Sequence, residues 1–494
     1  MERCELAPGF SVARVLTGLW QIADMERSGQ ALDPLATARA MEPYVEAGFT
    51  TFDMADHYGS AEVIAGTYRA KLAADPGSVQ LLTKWVPTPG PVRREEVRAA
   101  VERALERLQA DAVDLLQFHT WNYHDLSYLD VLSWLHELQE EGLVRHLGLT
   151  NFDTAHLRVV VESGLPIVSN QVSYSLIDRR AAGAMTEYCA ASGVKLLAYG
   201  TLAGGFLSDR WLGRPEPSDD DLATWSQRKY KRFLDAAGGW TVFQEVLRDL
   251  RAVADGLDCP LAFLAVRALL DRPAVGGVIV GARLGQSDHL SENRRLASQP
   301  LDPATIERVD AAIARFGPIP GDCGDEYRKA PFLTASGDLS HHLESFPAAY
   351  TPSENEAGRS CVSSRSGWED MASYSRAVRD GERILVSGTT ATHAGRRVGG
   401  DDPAAQTHFV LDKIAAAVES LGGRFEDIVR TRIYVAEMED WEPVARAHGE
   451  RFRGVTPANT LVQAKLVGEG YRVEIEAEAR VSSVRGRAGR ESQP

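Results

Sequence analysis

Apolar residues gather in eight short runs along the first half of the chain: 14–22, 50–53, 79–84, 113–119, 144–151, 167–172, 195–199 and 276–281. Most are rich in Val, Leu, Ile or Phe without polar alternation, the pattern of parallel strands buried on both faces. Helical periodicity fills the gaps. Val97, Val101, Leu105 and Leu108 share one face of 93–109, and Phe243, Val246, Leu247, Leu250 and Val253 share one face further on. Asp153 is placed to N-cap a helix over 154–163, with Gly164 at its C′ position, and Pro260 is placed at the N1 position of a helix over 261–270. Eight strands alternating with helices predict an α/β fold of the (β/α)8 type, a TIM barrel closed on itself. An open doubly wound sheet is the competing architecture, and no Gly-x-Gly-x-x-Gly follows an early strand to support it.

Asp302-Pro303 opens one more helix, and then the pattern changes. Between 335 and 370 it gives way to Ser, Gly, Pro, Glu and paired His, the composition of a linker long enough to let two units sit apart. Runs at 374–378 and 383–387 flank Asp380-Gly381, a two-residue hairpin signal. A long helix starts at Asp402-Pro403 and closes at Gly422-Gly423. A strand over 428–435, a helix over 440–452 and strands over 459–466 and 471–479 follow. The expected organisation is a barrel over 1–334, a linker over 335–370, a smaller α+β domain over 371–481 and a polar, disordered tail over 482–494. Two units suit a chain of 494 residues, because single cores stop growing near roughly 250–300 residues.

The formal net charge of −15 argues against a nucleic-acid or anionic-membrane partner. Five scattered cysteines without a Cys-x-x-Cys pair point to a reducing compartment, with neither a disulfide framework nor a metal site. The N-terminal residues carry no apolar leader core and no apolar run is long enough to span a bilayer, so a cytoplasmic location is expected.

In such a barrel the reacting groups sit at the C-terminal strand ends. Asp53, Lys84 and His119 end three successive strand patterns, and Tyr58 lies on the loop leaving the first of them. The run Phe52-Asp53-Met54-Ala55-Asp56-His57-Tyr58-Gly59, then Thr83-Lys84, then Leu115-Leu116-Gln117-Phe118-His119, resembles the aldo-keto reductase superfamily. So do Gly148-Leu149-Thr150-Asn151-Phe152, Ser169-Asn170-Gln171 and the stretch from Gly281 to Glu292-Asn293. The resemblance covers roughly residues 10–320 and implies a catalytic tetrad of Asp53, Tyr58, Lys84 and His119. A tyrosine holds its proton at neutral pH and donates it poorly, and a nearby lysine cation would lower its pKa. Asp53 would hold Lys84, and His119 would donate to the oxygen of the carbonyl.

The same resemblance implies an NADPH site, with NADH possible. Thr150, Asn151 and Gln171 would meet the nicotinamide carboxamide, and Tyr199 would stack on its ring. Gly200, Gly205 and Leu207 belong to a loop whose backbone would approach the pyrophosphate. Gly281, Arg283, His289, Glu292 and Asn293 would hold the adenosine end, Arg283 pairing with the 2′-phosphate where the family usually has lysine. Trp20, Trp85, Trp121 and Asn122 lie just past strand ends and suggest an aromatic-walled pocket for a small-molecule carbonyl. The segment 209–239, with Asp219-Asp220-Asp221 and Arg228-Lys229-Tyr230-Lys231-Arg232, could be a lid.

Residues 371–481 resemble the RidA (reactive intermediate deaminase) family, a chorismate-mutase-like α+β fold, through Leu385-Val386-Ser387-Gly388-Thr389, Gln406-Thr407, Gly422-Gly423-Arg424-Phe425 and Val473-Glu474-Ile475-Glu476. The resemblance implies a homotrimer built through this domain, with ligand clefts between subunits that hydrolyse imines and enamines. The family's carboxylate-binding arginine is replaced by Asn459, which offers no cationic fork, while Glu474 stands at the water-activating position. Three readings follow: a carbonyl reductase on an assembly module, a coupled enzyme in which the second domain makes the carbonyl from an imine, and a non-catalytic nucleotide sensor.

Overall fold

The computed structural model describes residues 2–26, 32–286, 290–334 and 346–481. An antiparallel hairpin, β1 (Arg3–Ala7) and β2 (Phe10–Ala13), opens the chain. Eight parallel strands follow: β3 (Val15–Gly18), β4 (Thr51–Asp53), β5 (Gln80–Trp85), β6 (Val113–Phe118), β7 (Val144–Thr150), β8 (Ile167–Ser173), β9 (Lys195–Tyr199) and β10 (Val275–Gly281). They pair in sequence order and β10 closes on β3, so the expected barrel is formed.

The run 14–22, expected as one strand, divides. It pairs only to Gly18, and Trp20–Glu26 is a helix. Leu19 and Ile22 are the fully buried positions there, a three-residue spacing that belongs to a helix. The hairpin, absent from the expected elements, turns at Pro8-Gly9, a turn dipeptide with Gly9 at φ 74°. It plugs the N-terminal end of the barrel, where Leu6, Phe10 and Val12 pack on Leu16, Leu82, Leu115 and Leu197. The helix Thr154–Glu162 is capped as expected: the Asp153 side chain accepts from the His156 N–H, and Gly164 follows at φ 85°. Pro260 stands at the N-cap of Leu261–Leu270, one residue earlier than expected.

The second sheet has the order β11-β12-β13-β14-β19-β17-β18. Its strands are β11 (Ser353–Glu354), β12 (Ser360–Val362), β13 (Ala377–Asp380), β14 (Arg383–Thr390), β17 (Ile428–Val435), β18 (Ala458–Gln463) and β19 (Val473–Arg480); β15 (Thr392–His393) and β16 (Arg396–Arg397) form a small separate ribbon. β11 and β12 fall inside the stretch expected as linker, and they extend the sheet beside β13. Residues 335–345 of that stretch and the tail 482–494 lie outside the described residues.

Helix Pro403–Ser420 covers one face of this sheet, and every residue from Ala405 to Val418 is buried. A helix buried all round needs cover on both sides, and here the second cover is the barrel. Asp412, in mid-helix, faces His156 on the barrel helix Thr154–Glu162. His156 Nε2 lies 3.0 Å from Asp412 Oδ2 and its Nδ1 lies 2.6 Å from Asp153 Oδ1. Arg451 donates to the other Asp412 oxygen at 2.7 Å. Burial alone would raise the Asp412 carboxyl, but Arg451 and His156 overcome it and hold it at about 2. Burial works against the His156 imidazolium, yet the two aspartates raise it above its ordinary value. Arg158–Asp402, His393–Asp130 and the Arg396 donation to Ser133 surround this network. The two units are thus docked by paired charges rather than only tethered. The opposite face of the sheet is open, with Leu385, Val429 and Val462 each more than 40% exposed.

No helix among the described residues is long and apolar enough to cross a membrane.

Candidate active site

The C-terminal ends of the barrel strands open into a cavity of about 1030 Å³. β4 ends on Asp53, β5 carries Lys84 one residue before its end, and His119 follows β6, so three neighbouring strands aim their terminal side chains into one space. Lys84 Nζ donates to Asp53 Oδ2 at 2.6 Å and to the Met54 carbonyl at 2.8 Å. Both members of the pair are buried. The other Asp53 oxygen accepts from Gln117 Nε2 at 3.1 Å and from Gln171 Nε2 at 2.7 Å. Both oxygens of this buried carboxylate are thus hydrogen-bonded, which fixes its orientation. Burial lowers the Lys84 pKa, an effect that Asp53 opposes.

Tyr58 completes the group. Its ring centroid is 5.0 Å from Lys84 Nζ, and Trp20 and His57 meet it edge-on at 4.9 and 4.8 Å. His119 is buried, and burial, reinforced by the Arg328 guanidinium, pushes it well below its ordinary pKa. It is a neutral imidazole at physiological pH. Its Nδ1 makes only a 3.3 Å contact with the Thr150 carbonyl. Its Nε2 has no hydrogen-bond partner among the described residues, although buried polar atoms are nearly always paired.

Most of the expected cofactor residues line the same cavity: Thr150, Asn151, Gln171, Tyr199, Gly200, Gly205, Gly281, Arg283, Glu292 and Asn293. Several are already engaged with one another. The Tyr199 hydroxyl donates to Asn151 Oδ1 at 2.8 Å, and the Thr150 hydroxyl donates to the Gln171 carbonyl at 3.1 Å. The Gln171 amide N–H groups serve Asp53 and Gln117. Leu207 does not reach the cavity; it is buried in the core behind it. His289 lies outside the described residues. Of the expected substrate residues, Trp20 and Trp121 line the cavity. Trp85 is buried against Phe118 instead, and Asn122 turns its side chain to the His124 N–H beside a smaller neighbouring pocket.

The segment expected as a lid ends in the helix Trp225–Ala236, which is packed down. Thr224 and Gln227 form its capping box, and Gln227, Lys229, Tyr230, Phe233 and Leu234 are its buried side. Lys229 and Tyr230 line the cavity, as does Tyr327 from the short turn Asp325–Arg328 beyond the barrel. None of these three was singled out as a site residue in the sequence. Lys229 sits in a run of charges, the pattern of a solvated face, and only the helical spacing of Gln227, Tyr230 and Leu234 marks its buried side. Gln117 was missed as well, as a polar position within an apolar strand run.

In the second unit one chain does not by itself bring the two expected cleft residues together. Asn459 pairs in register with Thr431, and Glu474 with Tyr434. Thr431 and Tyr434 alternate to opposite faces of β17, so within one chain Asn459 and Glu474 point to opposite sides of the sheet. The Asn459 amide donates to Thr431 Oγ at 2.9 Å, which also contacts His448 Nε2. The Glu474 carboxylate lies close against Gly388, where a Cβ would collide with it. Burial raises the pKa of Glu474.

The aldo/keto reductase family model matches residues 14–314. The chain belongs to the aldo/keto reductase family. A second family model, described as Endoribonuclease L-PSP and representing the RidA-type domain, matches 367–481. Flagellar radial spoke protein 5 of Chlamydomonas reinhardtii is 28% identical over 41% of this chain, and the chain spans only 46% of that relative's length. Aflatoxin B1 aldehyde reductase member 4 of Homo sapiens is 29% identical over 58% of this chain and 92% of its own. Among solved structures, the glycerol dehydrogenase AKR11B4 from Gluconobacter oxydans superposes with a TM-score of 0.53 at 22% identity, covering 65% of this chain and 97% of the other, which is a likeness of fold. Aldo/keto reductases are oxidoreductases of small carbonyl compounds that generally use NAD(P)H.

Proposed function

We propose that this protein reduces an aldehyde or ketone with NADPH, with Tyr58 as the proton donor. The observation that carries the reading is the convergence of the Lys84–Asp53 pair, the Tyr58 ring and the unpartnered His119 Nε2 on one cavity.

The residues present fit a nicotinamide dinucleotide. The cavity exceeds the roughly 300–1,000 Å³ of ordinary ligand pockets, leaving room for a cofactor and a substrate together. Gly205, at φ 90°, turns bare backbone toward open space, as a loop cradling phosphates requires. Arg283, Glu292 and Asn293 would hold the adenosine end, and Tyr199 the nicotinamide. The bound cofactor would supply the hydride to the carbonyl carbon.

The chain's own groups do the rest. His119 Nε2 meets the carbonyl oxygen; with the ring hydrogen moved to Nε2, giving up the long Nδ1 contact to the Thr150 carbonyl, it donates to that oxygen and orients it. Tyr58 gives its phenolic proton to the same oxygen as negative charge develops there. Lys84 favours the phenolate left behind, and Asp53, held by Gln117 and Gln171, keeps Lys84 in place. Trp20 and Trp121 exclude water from the exchange.

The division of labour we propose gives chemistry to residues 1–334 and assembly to 371–481, as a homotrimer. The barrel covers the helical side of the second sheet and leaves the other side open with its exposed apolar residues, which suits a face covered by further copies of the chain. Light scattering of the whole protein should then give three times 53.9 kDa. Coupled imine hydrolysis in the second unit is the weaker reading, because Asn459 is spent on Thr431. The test of function is a panel of aldehydes and ketones with the intact protein, following NADPH absorbance. Cofactor consumption that depends on the carbonyl supports the proposal, and its absence across the panel refutes it.

A further inference from the structure

We propose that Asp412, on the helix of the attached unit, is a positioning residue for the barrel's reaction: it anchors a stacked column of side chains that fixes the two loops carrying His119 and Asn151. This deepens the reductase reading and rests on it.

The column starts where the two units meet. Asp412 is fully buried and lies 3.0 Å from His156 Nε2, while Asp153 lies 2.6 Å from Nδ1. Carboxylates at both nitrogens leave the ring no acceptor role, so it is the imidazolium and its tilt is set. Arg451 donates to the other Asp412 oxygen at 2.7 Å, which keeps that carboxylate from swinging away. The His156 ring lies flat on Tyr123, with centroids 3.4 Å apart and planes 3° from parallel. The Arg328 guanidinium lies over the same ring, 4.4 Å from its centroid. Two groups at those separations cannot share one face, so Tyr123 is held between two cations, each of which its π face attracts. The Tyr123 hydroxyl accepts from the Asp153 N–H at 3.1 Å, which ties the ring to the loop after β7.

The column ends at the reacting side. Arg328 Nη2 donates to the Thr120 carbonyl at 2.5 Å and Nη1 to the Asn151 carbonyl at 2.6 Å. Thr120 follows His119, which receives the carbonyl oxygen in the proposed reaction. Asn151 accepts the Tyr199 hydroxyl and stands at φ 59°, a backbone state that its neighbours must hold. Gly324 permits this closeness, since a Cβ there would fall 2.0 Å from the Asn151 oxygen. One guanidinium thus joins the loops after β6 and β7, and the layers behind it stop it from moving. A packed interior has few voids to absorb a shift, so a tilt of His156 passes through Tyr123 to Arg328. The reacting groups belong to the barrel, and the support behind them reaches into the attached unit.

The test uses the full chain with Asp412→Asn, His156→Gln, the double variant, and Arg158→Ala, which breaks an inter-unit pair outside the column. The readouts are kcat at saturating NADPH and aldehyde, and hydrogen exchange of peptides spanning 118–124 and 150–157. Asp412→Asn should lower kcat about 10-fold and speed exchange in both peptides, because small displacements of reacting groups are costly. His156→Gln should do the same, and the double variant should be no slower than the slower single one, since both break one column. Arg158→Ala should change neither readout. Unchanged kcat and exchange in Asp412→Asn overturn the proposal, as do additive losses in the double variant or an equal loss in Arg158→Ala. Should Asp412→Asn fail to fold, His156→Gln, which leaves the Asp412–Arg451 pair in place, carries the same test. If the wild type turns over no carbonyl, the reductase reading fails and exchange alone decides the column: faster in Asp412→Asn but not in Arg158→Ala supports it, and no difference between the two overturns it.

Discussion

The barrel and the attached sheet treat their chemistry-bearing residues in opposite ways. In the barrel, Asp53, Lys84 and His119 come from different strands and meet because all parallel strands present their C-terminal ends to one rim. In the second unit, Asn459 and Glu474 come from strands of one sheet and diverge because pairing register sends them to opposite faces. A closed ring of strands turns separate positions into a site, whereas an open sheet does so only across a face, and so only residues of matching parity can cooperate within one chain. Within one chain the barrel therefore assembles its own site, whereas Asn459 and Glu474 could meet only across a boundary between copies.

The largest effect expected from breaking this contrast is Lys84→Met. It leaves the Asp53 carboxylate buried and without its cation, which typically costs about 3–5 kcal/mol. Thermal unfolding should show that loss, and carbonyl turnover should vanish with it. A stable, active Lys84→Met protein would mean that the pair does not organise the site.

Asp412→Ala tests whether the two regions act as one body. It removes the partner of buried His156 and Arg451, an effect we expect near the lower end of the same range, about 3 kcal/mol. The network also fixes a pH dependence. His156 is raised in the folded protein, so its contribution is full below its ordinary value of 6.5 and is lost as pH rises through the raised value. Asp412 is lowered to about 2, so its contribution is full above 3.8 and is lost as pH falls toward 2. Stability in the wild type should therefore decline on the alkaline side as well as in acid, and Asp412→Ala should flatten both arms. Unchanged arms would place the docking energy elsewhere.

Arg283→Ala sharpens the barrel side. An arginine–phosphate pair is worth roughly 1.5–3 kcal/mol, so the variant should lose NADPH affinity far more than NADH affinity, as read by equilibrium titration. Equal losses would show that Arg283 does not meet the 2′-phosphate. The smallest effect belongs to the second unit. Asn459→Ala removes one hydrogen bond to Thr431, about 1 kcal/mol, and should leave carbonyl turnover untouched. A large loss of activity would contradict the separation of roles.

Much of this was legible in the sequence, for reasons that can be named. Continuous apolar runs announced the barrel strands, and strand-terminal Asp53, Lys84 and His119 stood out because polar residues ended those runs. The chain was less legible where tertiary contacts decide. Trp20 lies on a helix because Leu19 and Ile22 turn inward together. Trp85 and Asn122, past strand ends like Trp121, turn away from the cavity, a choice of rotamer and loop path that spacing does not encode. Lys229 was concealed within a charged run whose buried side shows only when the helix is docked. The His156–Asp412 pair joins residues distant in the chain, and neither carries a local signal of its partner.

The proposed chemistry moves a proton from Tyr58 to a carbonyl oxygen. The measurement that tests it most directly is kcat for Tyr58→Phe with saturating NADPH and aldehyde, beside an NADPH titration of the same variant. Loss of a positioned acid typically slows the reaction by about 10²–10⁴-fold. A fall of that size with cofactor affinity preserved is expected, because one hydroxyl alone has changed. Near-full turnover in Tyr58→Phe would contradict it.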